Sequence, residues 1–468
     1  MSQCIALLFG RRKDMNASND VRNEKPAGVP CYLSIDIGSI SGRHIVGWME
    51  SGELRQREIY RFSNASMKQD GHRIWDIDHL FEEVINGIRK AFSEFPEIRS
   101  LSVDTWGGDY VLLRGDQEIR PCFTYRDFRT EEAVREVHKL VPFSEIYRRT
   151  GYQFGPYNTI YQLYSDKLMG RLEGATDFLM MPEYLLYRLS GVKKKEATDN
   201  STTSLVNPRT GQFDLELVRM LDLPEHLFPK LYSPGTVLGP LRPEIAKETG
   251  GNCPVILCAT HDTQSAVSAI PMEDDQIYIS SGTWSLLGVK LDHAITSEEG
   301  AAAGFSNEVG LEYNCYLTNI PGMWVPEQLR RELCPGKDYS RIVAEAEASA
   351  CNSIFDPALP RFNAPDSMSR EIYEDLKARR AGKLPENTGD YFCCAYHSLA
   401  DCYRRSIQSL EKVTGQNYKK IYITGGGAKN DFLNRLTEDY TGKEVVACPF
   451  EATSAGNLLL QWKVDQSL

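Results

Sequence analysis

Apolar residues along this chain recur at two periods, and the alternation between them predicts strands and helices in turn. Cys31-Tyr-Leu-Ser-Ile-Asp36-Ile is an apolar strand that enters the turn Gly38-Ser39-Ile40-Ser41-Gly42-Arg43 and returns through His44-Ile-Val-Gly-Trp-Met49. About halfway along, Gln276-Ile-Tyr-Ile-Ser-Ser281-Gly282-Thr283 runs into Trp284-Ser-Leu-Leu-Gly-Val-Lys290 in the same way. Each copy is a strand, a tight turn of glycine and small hydroxyl residues, and a returning strand. Helical periodicity follows the first copy, where Phe81, Val84, Ile85, Ile88 and Phe92 share one face and Asp76 or Asp78 is available as the cap.

The pattern continues with a strand over 100–104, a return over 111–113, and a helix over 182–189 with Pro182 in its first turn and Gly191 at its end. Pro254-Val-Ile-Leu-Cys-Ala259 reads as a buried strand ending at His261-Asp262. The second half shows a long helix from Tyr391 to about Val413 stopped at Gly415, a strand over 420–424, a helix from Asp431 and a strand over 444–448. Residues 365–390 are polar with weak helical signal and read as surface structure, and residues 1–30 as a disordered leader with Met15 as another possible start. A boundary near residue 270 divides the chain into 31–270 and 271–468, two α/β halves of sheets covered by helices.

Composition narrows the class. At 468 residues the chain exceeds one typical core. A net charge of −11 argues against nucleic acid or an anionic membrane surface as a general partner. The 12 cysteines lack zinc-type spacing and read as reduced core thiols of a cytoplasmic protein. No apolar run approaches the ~18 residues of a membrane span.

The chemistry concentrates in a few turns. In Asp36–Arg43 a carboxylate at a strand end adjoins a turn whose N–H groups could cradle phosphate, the two parts a magnesium nucleotide needs; a hairpin with a capping Asp is the alternative. Ser281-Gly282-Thr283 gains weight from its matching place in the second half. Gly425-Gly426-Gly427, between strand and helix, would let a phosphate or flat ligand lie on the backbone, although neither the GxGxxG nor the P-loop pattern is present. His261-Asp262-Thr263 puts a carboxylate where it could take a proton from an attacking hydroxyl, or cap the helix behind it. Asp104-Thr-Trp-Gly107-Gly-Asp109-Tyr110 combines carboxylates and aromatic faces suited to a sugar, and Asn319-Ile-Pro-Gly-Met-Trp324 is a shorter candidate of the same kind.

Taken in order, these motifs resemble the FGGY carbohydrate kinases of the actin-like ATPase superfamily over roughly residues 31–461. Tyr125-Arg-Asp-Phe-Arg-Thr130, Asn158-Thr-Ile-Tyr-Gln162, Thr198-Asp-Asn-Ser-Thr-Thr203 and Glu451-Ala-Thr-Ser-Ala-Gly-Asn457 complete the set. The resemblance implies two ribonuclease-H-like domains with an active site in the cleft between them, and MgATP-dependent phosphorylation of the 1-hydroxyl of L-rhamnulose. It implies Asp262 as general base, and Gly107, Asp109, His261, Thr263 and Asn319 at the sugar. Ser39, Ile40, Ser41, Gly42, Arg43, Gly282, Thr283, Glu327, Gly425, Gly426 and Gly427 would hold ATP, with Asp36 at Mg2+. No nucleic-acid or membrane partner is implied, and a monomer or homodimer is expected.

Three departures stand out. Glu327 followed by Gln328 stands where related kinases carry Gln, Gly108 replaces a typical Val, and the tail after Gln461 is short and atypical. The rival readings are a kinase for another ketose, such as L-fuculose or D-xylulose, and a catalytically silent actin-like ATP-binding protein.

Overall fold

The computed structural model describes residues 25–273, 275–363, 365–448 and 451–467. Most of the leader expected from the sequence, with Met15, therefore lies outside the described residues.

Two six-stranded sheets carry the structure, and five strands of each follow one plan. In the first, Cys31–Ile37, Ser41–Glu50 and Glu53–Ser63 form an antiparallel meander, and Ile98–Thr105 lies parallel on the free side of the Cys31–Ile37 strand. Pro254–Ile256 continues the parallel side, and Val237–Pro240 closes the edge. In the second, Gln276–Ser281, Trp284–Leu291 and Asn314–Pro321 repeat the meander. Lys420–Thr424 and Glu444–Cys448 repeat the parallel side, and Ser306–Val309 closes the opposite edge. The central strands Cys31–Ile37 and Ile98–Thr105 are buried nearly throughout, as expected of sheets covered on both faces. Each sheet nucleates its own large apolar cluster.

The helices follow their local signals. Ile77–Glu94 starts at Asp76, whose side chain accepts from the His79 N–H, and buries Phe81, Val84, Ile85, Ile88 and Phe92. Thr388–Thr414 begins three residues before the expected start, at an Asn387 cap, and stops at Gly415 in the left-handed conformation. Within 365–390 the structure departs from the sequence reading. Met368–Arg379 is a helix capped by Ser367, and it buries Met368, Ile372 and Leu376. That stripe carries one apolar residue per turn inside a polar segment, too thin a signal for the period to register.

The last helix, Ala452–Ser467, turns back from the second half onto the first sheet. Gly456 meets the Asp262–Ala269 helix so closely that a Cβ there would lie 1.8 Å from the Ser265 carbonyl oxygen. Gln461 Nε2 donates to the Leu33 carbonyl at 3.0 Å, and the Tyr32 hydroxyl donates to Asp465 at 2.8 Å.

Candidate active site

The carboxylates singled out by the sequence converge at the carboxyl ends of the first sheet's parallel strands. Asp36 and Asp104 are register partners on adjacent strands, and Asp36 also faces Arg43 across the antiparallel pair. Arg43 Nε donates to Asp36 at 3.0 Å and its Nη1 to Glu451 at 2.5 Å. Thr105 donates its N–H to the Thr260 carbonyl at 2.9 Å, which sets His261 and Asp262 beside the same sheet edge.

Burial dominates the electrostatics. It raises the Asp36 pKa to about 6; the Arg43 charge works against this, while Asp262 and Glu451 add to it. Asp104 is pushed well above the carboxylate range by burial and then by the charge of Asp36. Asp262 is also raised, by burial opposed chiefly by His261. Asp104 Oδ1 is a buried acceptor with no protein donor.

This surplus of hard oxygen donors suits a cation such as Mg2+, which keeps several waters and leans on one or two carboxylates plus substrate phosphates. Among the described residues no three His, Cys, Asp or Glu side chains are close enough to enclose a metal by themselves. The fit is to a metal that arrives with its nucleotide.

Asp262 is the first residue of the Asp262–Ala269 helix and His261 is its cap residue, so Asp262 is not itself the helix cap that the sequence also allowed. Its side chain is 30% exposed, and Thr263 Oγ1 donates to its Oδ1 at 3.2 Å. Beside it opens a cavity of about 120 Å3 walled by Gly107, Tyr125, Tyr152, Tyr157, Thr202 and His261. A Cβ on Gly107 would lie 2.9 Å from Thr202 Cγ2 and 3.2 Å from Asp199 Oδ1, so the wall closes only around glycine.

Other sequence candidates fall differently. Asp109 is fully buried and its Oδ2 accepts from the indoles of Trp75 at 2.7 Å and Trp106 at 2.9 Å. It braces the 104–110 hairpin from within and is not among the residues that line the cavity. Asn319 is exposed on the Asn314–Pro321 strand and does not line this cavity. Glu327 is occupied by Arg330 and Arg331 at 2.9 and 3.0 Å, while the neighbouring Gln328 Nε2 is buried without an acceptor. That arrangement disfavours Glu327 as a nucleotide contact.

The glycine turns form two groups. Gly38 donates its N–H to Ser41 O at 2.9 Å, closing the first turn, and Ile40 at its tip is 71% exposed. In the second half Gly282 and Thr283 are exposed, and Gly282 donates to Trp284 O at 3.0 Å. Gly425, at φ +78°, packs on the Ser281 carbonyl, and a Cβ on Gly427 would lie 2.0 Å from Ser281 Oγ. Gly426 has open space before it. The Gly282 and Gly425–Gly427 turns therefore make one continuous backbone surface.

Several residues at the site escaped the reading of individual residues. Glu196 Oε2 accepts from the hydroxyls of Thr198 and Thr260, both at 2.6 Å, and ties the 198–203 segment to the His261 loop. Glu308 accepts from His261 and Gln264. Its sequence neighbours, Asn307 and Val309, carry no signal that marks it.

Residues 31–268 match the N-terminal domain of the FGGY family of carbohydrate kinases, and residues 277–463 match its C-terminal domain. The rhamnulokinase of Oceanobacillus iheyensis is 38% identical over 441 residues, covering 93% of this chain and 94% of that protein. The rhamnulokinase of Bacillus subtilis is 39% identical over 436 residues, covering 92% and 89%. In fold, a xylulose kinase from Lactobacillus acidophilus superposes with a TM-score of 0.79 at 19% identity, over 94% of this chain and 90% of that one. With both domains matched in order and relatives this similar along nearly the whole length, the chain belongs to the FGGY family of carbohydrate kinases.

Proposed function

We propose that the protein transfers the γ-phosphoryl group of ATP to the 1-hydroxyl of L-rhamnulose. The observation that carries this reading is the placement of Asp262, partly exposed at a helix start, beside an aromatic-walled cavity that includes His261 and Gly107. The choice of sugar rests on the likeness to proteins named rhamnulokinase.

Asp262 takes the hydroxyl proton as the sugar oxygen attacks phosphorus, and its raised pKa strengthens it as a base. His261 and Thr263 fix the sugar beside it, and Gly107 lets the ketose approach the hairpin backbone. The turn Ser39–Arg43 and the backbone surface of Gly282, Thr283 and Gly425–Gly427 hold the nucleotide. Asp36 would hold Mg2+, which when bound offsets the charge of the phosphates. Closure of the two halves excludes water, which would otherwise accept the phosphoryl group. A cytoplasmic setting agrees with the eleven described cysteines being free thiols. Among the described residues no helix is long and apolar enough to cross a membrane.

The test is ADP release with MgATP across L-rhamnulose, L-fuculose, D-xylulose, D-ribulose and glycerol. Turnover with L-rhamnulose roughly tenfold or more above the others is the expected result. A preference for another sugar overturns the substrate, and sugar-independent release from folded protein overturns the kinase reading of this chain.

A further inference from the structure

His261 is held from the second half of the chain. Glu308 lies in the edge strand Ser306–Val309, is 2% exposed, and its Oε2 lies 3.1 Å from His261 Nδ1. The same oxygen accepts from Gln264 Nε2 at 2.8 Å. An ionised carboxylate only accepts, and in that state Glu308 takes a hydrogen from Gln264 and another from His261 Nδ1. The other ring nitrogen, Nε2, lies 3.6 Å from Asp262 Oδ1. An unprotonated Nε2 would place a lone pair near that carboxylate, whereas a protonated one places positive charge beside it.

The strand that delivers Glu308 is fixed against the first half. Asn307 donates its N–H to Gly151 O at 2.8 Å, Gln153 donates its N–H to Ser306 Oγ at 3.1 Å, and Val309 donates its N–H to Ser201 Oγ at 3.1 Å. Glu308 therefore arrives at His261 on a braced element rather than on a loop.

We propose that Glu308 is a positioning residue that holds His261 as a doubly protonated imidazolium, with Nε2–H directed at Asp262. Its action passes through His261, since no contact of Glu308 with the reacting atoms is required. The consequence is electrostatic. The fixed cation opposes the upward push of burial on the Asp262 carboxyl and so favours its ionised, proton-accepting form. The groups facing the His261 ring are Glu308, Asp262 and Asp199, with Tyr152 on the cavity wall. Burial alone would lower the His261 pKa, but Glu308 first, then Asp262 and Asp199, raise it to about 10.

The inference rests on Asp262 as the base, and two measurements separate the claims. The first is the side-chain 15N spectrum of His261, assigned with His261→Gln, in the intact protein between pH 6 and 9. An imidazolium pattern through this range is expected; a neutral ring, or a midpoint near the ordinary histidine value of about 6.5, overturns the proposal whatever the enzyme's substrate. The second is the pH profile of ketose phosphorylation by Glu308→Gln, with its melting temperature. The variant is expected to acquire a new ionisation in kcat near pH 6–7, losing about tenfold or more above it. The KM for MgATP should stay within about twofold. A profile of unchanged shape, whether at full rate or uniformly reduced with a lowered melting temperature, contradicts the positioning role.

Discussion

Asn457 Nδ2 donates to Asp104 Oδ2 at 2.5 Å across 353 positions of sequence. The last helix thus reaches the pair of carboxylates at the centre of the first sheet and satisfies one oxygen of the more deeply buried member. The remaining oxygen, Oδ1, has no donor, and the whole side chain is inaccessible.

Asp104→Asn should therefore stabilise the protein at alkaline pH. The folded pKa of Asp104 lies well above its unfolded value, so the native state binds the extra proton and ionisation costs stability as pH rises. At pH 8 the variant is expected to melt about 2 °C or more above wild type. The advantage should shrink as pH falls toward the unfolded carboxylate pKa of about 4. Melting curves at pH 8 and pH 5 check both the sign and the trend.

The role proposed for Asp36 is to link metal to nucleotide. Asp36→Asn should leave binding of ATP in chelator unchanged within about twofold and abolish most of the tightening that Mg2+ produces. In wild type the MgATP affinity should weaken as pH falls through about 6, where the Asp36 carboxylate takes up its proton. Calorimetric titrations with and without Mg2+, across pH 5–8, measure both.

Adjacent glycines should behave differently. Gly426 has open space before it, whereas a Cβ on Gly427 meets Ser281 Oγ at 2.0 Å. Gly426→Ala is expected to melt as wild type does and to raise the KM for ATP about tenfold, because the methyl group occupies the surface proposed to face the phosphates. Gly427→Ala should lower the melting temperature first. Equal behaviour of the two variants would contradict the assignment of this surface.

Gly107→Ala crowds Thr202 and Asp199 at the cavity proposed to take the sugar. The expected outcome is a KM for the ketose raised about tenfold or more, with the KM for ATP within about twofold. Steady-state kinetics with each substrate varied in turn decides it.

Local chemistry explains what the sequence disclosed. The two strand-turn-strand copies were legible because an apolar period of two, broken by glycine and small hydroxyls, is complete within some twenty residues. Gly415 and Asp76 marked helix ends for the same reason. Long-range partners were not legible. Asp109 looked like a sugar ligand beside Trp106, but its second indole comes from Trp75, 34 positions away. Nothing near Glu308 in sequence announces His261, which lies 47 positions earlier. Glu327, for which the resemblance implies an ATP contact, pairs with Arg330 and Arg331 one turn along its own helix.

The most direct measurement is the product formed from L-rhamnulose and MgATP by wild type and by Asp262→Asn, identified and quantified by 31P NMR alongside nucleotide binding. Wild type should give the 1-phosphate, and Asp262→Asn should bind ATP within about twofold while forming product at least about 100-fold more slowly. Full turnover by Asp262→Asn, or phosphorylation at another hydroxyl, would contradict the assignment of Asp262 as the base acting on the 1-hydroxyl.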